Sequence, residues 1–246
     1  MNVKLTVEYD GTNYHGFQVQ PNANTIQEEL EKALARRLNR PVRVIGAGRT
    51  DAGVHAAGQV VNFFGAMPIP LDRVPVALNS VLPRDIRIVD AKTVSETFHA
   101  RFSALRKTYV YTIYRGPYHS VFWRRYSWWV AHNLDIAAMK QAAHGLVGQR
   151  DFASFAASGG AAKTSERHLM ECLVSEEGPL VKVKFTADGF LYNMVRNLMG
   201  TMVDVGMGVL SMGGLAAILA GRDRALAGIT APPQGLCLER VDYELS

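Results

Sequence analysis

The sequence predicts an α+β protein made of two similar halves, each a mainly antiparallel sheet backed by helices. Three observations lead there. VKLTVEYD and KTYVYTIYR alternate apolar and polar residues with the period of a half-buried strand. TIQEELEKALARRL carries its apolar residues at helical spacing instead. The order of elements then nearly repeats. Residues 1–104 read as strand, helix, two strands, helix and strand; residues 105–246 read as two strands, helix, two strands, helices and a strand. No repeat of sequence accompanies this, so the division at about residue 104 rests on element order alone.

Each element has a local cause. Val3 to Asp10 is the first strand, and Gly11 turns the chain after it. Thr25 and Glu28 have capping-box spacing, and Ile26, Leu30, Leu34 and Leu38 fall on one helix face with Ala33 beside them. Val42 to Ala47 reads as a strand, with Gly58 to Phe64 as its hairpin partner. A short helix over Val74 to Leu82 stops before Pro83, and DIRIVDAKTV is again a strand. In the second half, Lys107 to Arg115 is a strand and Leu134 to Gly148 a helix. His168 to Asp188 is a hairpin turning at Glu177-Gly178-Pro179. FLYNMVRNLMGTMVDVG is a helix with Leu191, Met194, Val195, Leu198 and Met202 on its apolar side. A short helix over Leu215 to Ala220 follows, and LCLERVDYEL closes as a strand. The small-residue segment Ser154 to Glu166 is expected to be a mobile loop.

Composition narrows the function. Of 246 residues, 48% are hydrophobic and 20% charged, the profile of a globular protein. No apolar run is long enough for a membrane span, and the first residues lack a signal peptide's apolar stretch, so a cytoplasmic protein is expected. Cys172 and Cys237 stand alone, which predicts free thiols and no zinc site. The net charge of +5 favours anionic partners. Basic residues gather at Arg36, Arg37, Arg40 and Arg43, at Arg101, Arg106 and Lys107, and at Arg124 and Arg125 beside Tyr126, Trp128 and Trp129. Arginine interleaved with aromatics suits backbone contacts and base stacking on RNA; a solvated helix face and sheet-packing aromatics are the plainer readings.

The stretch GAGRTDAGVHAAGQVVNF, from Gly46 to Phe63, is the most specific feature. It lacks the third glycine of a dinucleotide fingerprint and the Gly-Lys-Ser/Thr end of a phosphate loop. Its glycines therefore read as places where the backbone turns or a ligand approaches closely. Asp51 stands in the loop beside Thr50 and near Arg49, whose guanidinium favours an ionised carboxylate. Such a carboxylate can act as nucleophile or base without metal or cofactor. Asp-Ala-Gly also makes an ordinary turn, and His55 reads as a structural hydrogen-bonder.

That stretch closely resembles the signature of the TruA family of tRNA pseudouridine synthases. VEYDGTNYHGFQVQ, FHARFSALRKTYVYTIYR, DFASF, FLYNMVRNLMGTMVDVG and APPQGLCLERVDY resemble family segments in the family's order, so the likeness spans essentially the whole chain. The resemblance implies a cofactor-free isomerase of the pseudouridine synthase fold, with a catalytic cleft between its halves. It breaks the bond from uracil N1 to ribose, turns the base, and rejoins it through C5. The implied substrate is uridine at positions 38, 39 and 40 of tRNA, and the implied assembly a homodimer. Asp51 matches the family's catalytic aspartate and Tyr109 its active-site tyrosine. Arg49 is expected to contact RNA or help expel the uridine, and Arg196 to pair with the Asp51 carboxylate. Tyr111 is expected on the opposite face of its strand from Tyr109 and is the lesser candidate. Two departures, Phe17 where tryptophan is frequent and Cys237 where an aromatic is common, bear on the choice of uridines more than on the reaction. The other readings are a non-catalytic RNA-binding protein on the same scaffold and a phosphate-loop enzyme acting on nucleotides. An ionised carboxylate would only repel RNA in a pure binding module, which sets the first of these apart.

Overall fold

The computed structural model describes residues 1–244 and divides into two compact units. One comprises Met1–Leu105 with the C-terminal residues from Cys237; the other is Arg106–Leu236.

The first unit contains β1 (Asn2–Tyr9), α1 (Ile26–Leu38), β2 (Ile45–Gly46), β3 (His55–Phe64), α2 (Val74–Asn79) and β4 (Ile86–Val94). β1 lies between β3 and β4, antiparallel to both, and buries Val3, Leu5 and Val7 completely. Thr25 caps α1, its hydroxyl accepting from the Glu28 amide, and Asn39 ends it in the left-handed conformation. Ile26, Leu30, Ala33 and Leu34 face inward as their spacing predicts, while Leu38 is only half-buried. α2 packs on β4.

The second unit begins within β5 (Ala104–Tyr114) and continues with β6 (Trp128–Trp129), α3 (Ile136–Leu146), β7 (Gly148–Asp151), β8 (Glu166–Glu177), β9 (Leu180–Ala187), α4 (Met194–Gly206) and α5 (Met212–Gly221). Its antiparallel sheet has the order β5-β9-β8-β7, with β6 added parallel to the end of β5. The β8–β9 hairpin turns at Gly178, whose φ of +58° suits glycine. α3 packs on β8 and on α4, and α4 is buried along nearly its whole length. The last strand, β10 (Leu236–Tyr243), pairs with β3 in parallel through Cys237 and His55. Leu245, at the end of the predicted closing strand, lies outside the described residues.

Several boundaries differ from the sequence expectation for local reasons. The strand expected over Val42 to Ala47 shrinks to Ile45–Gly46 because α1 takes the backbone of Val44. Glu31 accepts from the Val44 amide at 3.0 Å, and Gln27 donates to its carbonyl at 3.3 Å. α2 ends at Asn79 because that side chain completes β4, exchanging two hydrogen bonds with the backbone of Ile88. α4 starts at Met194, leaving Leu191 outside, because Asn193 turns left-handed with φ 57°. β7 was not expected, since Gly-Gln-Arg-Asp shows no apolar alternation. The segment expected to be mobile from Ser154 starts anchored: the Ser154 hydroxyl donates to Ile218 O at 2.6 Å, and Phe155 is fully buried.

A pair of buried amides joins β1 to β3 and pins the chain beyond β4. Asn62 donates to Asn2 Oδ1 at 2.9 Å and accepts from the Ala100 amide at 2.9 Å. Asn2 in turn donates to the carbonyls of Ser95 and Phe98. Both side chains are fully buried and satisfied. Asn62→Ala would orphan Asn2 Oδ1 and the Ala100 amide together, so its expected cost is about 2–4 kcal/mol. Urea unfolding monitored by circular dichroism would measure it; a change within about 0.5 kcal/mol would show that the network does not hold the unit.

Candidate active site

In the first unit, Asp51 and Arg49 stand on one loop between β2 and β3. Arg49 is exposed and Asp51 half-buried, but Thr50 between them is buried. The Thr50 hydroxyl shares a hydrogen bond of 2.8 Å with Tyr9 OH. Burial of Tyr9 pushes its phenol well above the usual tyrosine range, so it stays protonated beside the loop. Gln59, fully buried on β3, donates to Gly48 O at 2.9 Å and holds the loop's approach.

The chain segment after β1 closes over the loop from the other side. The Phe17 amide donates to Thr50 O at 3.0 Å, and the Gly53 amide to Tyr14 O at 3.3 Å. Gly16 has φ +91°, and a Cβ there would lie 2.7 Å from the Thr50 carbonyl oxygen. The turn itself is closed by backbone, Val54 N–H to Asp51 O, with Gly53 at φ +77°. His55 fills a structural role: its Nδ1 accepts from the Gly11 amide at 3.1 Å and lies 3.2 Å from Asp10 Oδ1. Gly46 has a packing reason, since a Cβ would lie 2.4 Å from the Phe17 ring.

Tyr109 and Arg196 belong to the second unit. Tyr109 is buried on β5 and meets Phe190 edge-to-face at 5.1 Å. Arg196 is half-buried on the first turn of α4. Its Nε donates to Ala231 O at 2.7 Å and its Nη1 to Asn193 Oδ1 at 3.0 Å, while the Ala231 amide donates back to Arg196 O. These bonds fix the direction of the guanidinium.

The expectation for Tyr111 is corrected. Residues two apart on a strand share a face, so Tyr109 and Tyr111 are on the same side, and both are buried. Tyr111 donates from its hydroxyl to Pro232 O at 2.7 Å and packs against Gly235, where a Cβ would come 2.6 Å from the ring. Burial raises its phenol far above the usual range, against the opposing charge of Arg196. Tyr111 thus fastens the segment that carries Ala231.

Sequence reasoning also missed what anchors that segment. Asn197, fully buried, donates to Phe155 O and accepts from Arg224 and Thr230. Thr201 accepts from the Gly228 amide at 2.9 Å. Gly200 lets the segment touch the helix, since a Cβ there would lie 1.8 Å from Ile229 O. The signal was present: an asparagine, a glycine and a threonine interrupt an otherwise apolar run.

The basic clusters divide. Arg37 donates to Ala77 O and Arg40 to Phe64 O, so half of the first cluster serves the fold. Trp129 donates to Gly116 O at 2.9 Å and Trp128 meets Tyr111 edge-on, so both pack in the sheet. Both cysteines are free, and burial pushes the Cys237 thiol up to about 11. Among the described residues no helix is long and apolar enough to cross a membrane.

A family model described as tRNA pseudouridine synthase matches residues 5–103 and 142–244, which include Arg49, Asp51 and Arg196 but not Tyr109. The chain is 49% identical over 241 residues to tRNA pseudouridine synthase A of Syntrophomonas wolfei, covering 98% of this chain and 97% of that one. It is also 49% identical to the protein of that name from Moorella thermoacetica, covering 98% and 99%. The protein of that name from Thermoanaerobacter sp. strain X514 is 46% identical over 242 residues.

The clamp around Thr50 makes a prediction of its own. Gly16→Ala imposes both a left-handed alanine and a clash with the Thr50 carbonyl, so the loop must shift. Hydrogen exchange of the Phe17, Gly53 and Val54 amides should speed up at least tenfold while β1 is unchanged. Parental exchange at all three would mean that this segment does not position Asp51.

Proposed function

The chain belongs to the tRNA pseudouridine synthase family, an isomerase family, and on that premise we propose that it converts uridine to pseudouridine at positions 38, 39 and 40 of tRNA. The observation that carries the reading is the match itself, which runs through both units and includes the loop that holds Asp51.

Asp51 is the catalytic group. The reaction breaks the bond from N1 to the ribose C1′, forms the bond from C5 to C1′, and exchanges the C5 proton for one on N1. Nothing is oxidised and no atom is lost, so a carboxylate, a stacking ring and well-placed charge suffice. The carboxylate initiates the sequence by attack on the sugar, attack on the base, or removal of a sugar proton. Its backbone is held on both flanks, by Phe17 N–H on Thr50 O and Val54 N–H on Asp51 O, and such preorganisation favours any of the three.

Tyr109 binds the extruded uracil with its ring, and its hydroxyl relays a proton. The edge-to-face contact with Phe190 supports this by fixing the ring plane. Arg196 supplies positive charge to the reacting uridine and its carboxylate partner, with its direction set by Ala231 and Asn193. Arg49, exposed beside Asp51, contacts the RNA backbone. The protein acts in the cytoplasm as a homodimer, and neither a metal nor a cofactor takes part.

The test uses unmodified tRNA tritiated at C5 of uridine, without added metal or cofactor. The parent chain should release tritium to water, with carbodiimide-dependent reverse-transcription stops at 38 to 40. Stops elsewhere would keep the chemistry and overturn the positions; no release with tRNA still bound would make the chain a binding protein. Asp51→Asn should lower turnover by roughly 10⁴-fold or more, with tRNA affinity within a few-fold of the parent. Full activity in that variant would remove Asp51 from the mechanism. Tyr109→Phe separates ring from hydroxyl: normal turnover would end the relay role and leave stacking alone.

A further inference from the structure

The turn between β5 and β6 is built to a degree that its place in the fold does not require. The Ser120 hydroxyl, nearly buried, accepts from the amides of Phe122 and Trp123 at 3.2 Å each. The Arg124 amide donates to Ser120 O, and the buried Ser127 hydroxyl donates to Trp123 O at 2.8 Å. A turn so closed has little freedom left, yet the side chains it fixes do not enter the core. Phe122 is 84% exposed and Trp123 39%. Arg124 and Arg125, which follow, are also exposed, and among the described residues neither pairs with a carboxylate. Exposed apolar side chains held together on a fixed backbone mark a contact surface.

Charge selects the partner. No acidic residue occurs between Glu96 and Asp135, whereas Arg101, Arg106, Lys107, Arg115, Arg124 and Arg125 all do. Arg115 is taken by Glu176 at 2.9 Å. A symmetric contact centred on this turn would bring its arginines together with their own counterparts. An RNA strand offers phosphates for the arginines and flat bases for the rings.

We propose that the turn Ser120–Ser127 is a further RNA-contact surface, where Phe122 and Trp123 stack on unpaired bases of the tRNA and Arg124 and Arg125 pair with the adjoining phosphates. The identity of the RNA rests on the tRNA reading above; the stacking and the phosphate contacts rest on the turn. Neither side chain takes part in the isomerisation.

The test titrates fluorescently labelled unmodified tRNA with the full chain at several salt concentrations. Phe122→Leu and Trp123→Leu keep apolar bulk but remove the ring, and each should raise Kd by roughly tenfold. Phe122→Trp should restore parental affinity. Replacing Arg124 and Arg125 together by alanine should reduce the slope of log K against log salt by about 1.4 to 1.8. Kd values within twofold of the parent for both leucine variants would overturn the proposal. A change in sedimentation coefficient with tRNA affinity unchanged would overturn it too, in favour of an interface between copies. Should the parent release no tritium from C5-labelled tRNA while the affinities change as stated, the isomerase reading would fall and the RNA surface would stand.

Discussion

The hydroxyl of Thr50 against the phenol of Tyr9 is the contact on which the proposed chemistry most depends. A loop between two strands is ordinarily where a chain is least constrained, and a carboxylate there samples many positions. Here the residue before Asp51 is buried instead of solvated, and its side chain is bound to a tyrosine on β1, a strand paired on both sides by β3 and β4. Burial raises that tyrosine's phenol against the pull of its hydrogen bonds to Thr50 and Gln59. The loop thus inherits the rigidity of the sheet one residue away from Asp51, the proposed catalytic group.

The second unit reaches the same end by a different route. α4 lies in the core, so each polar group on it must find a partner inside the protein. Asn197 and Thr201 find theirs on the segment that returns along the helix, and Gly200 removes the side chain that would keep them apart. Tyr111 fastens the continuation of that segment through Pro232. The result is a carbonyl, that of Ala231, held where the Nε of Arg196 requires an acceptor. Asn197 alone serves Phe155 O, Arg224 and Thr230, and this sharing couples the partners to one another.

Much of this was legible in the sequence. The caps of α1, the alternation of β1 and β5, and the hairpin at Gly178 are local effects, and local patterns report them faithfully. Asp51, Arg49, Tyr109 and Arg196 could be singled out by resemblance, and the structure adds what holds the backbone at Asp51, the Tyr109 ring and the Arg196 guanidinium. What escaped is long-range. No pattern near Val44 shows that Glu31 and Gln27 will take its backbone, or that Asn79 will complete a strand it precedes. β7 escaped because four polar residues carry no period, and they become a strand only through pairing with β8. The opposite-face placement of Tyr111 failed for a simpler reason, since the period of a strand is two.

Both units hold a chemical side chain through the main chain of its neighbourhood. Thr50 O accepts from Phe17, and Arg196 O accepts from Ala231, in each case from a distant stretch of the chain. Side-chain clamps reach their targets through rotatable bonds and lose entropy to hold them, whereas a backbone amide is already fixed by the segment that carries it. Glycine appears where such an approach is closest: Gly16 over Thr50, and Gly200 under Ile229. The proposed isomerisation needs its reactants held in a defined orientation, and in the reading above the polypeptide supplies it. Holding the backbone around Asp51 and the guanidinium of Arg196 by main-chain contacts, with glycine admitting the contact, is a direct way to supply it.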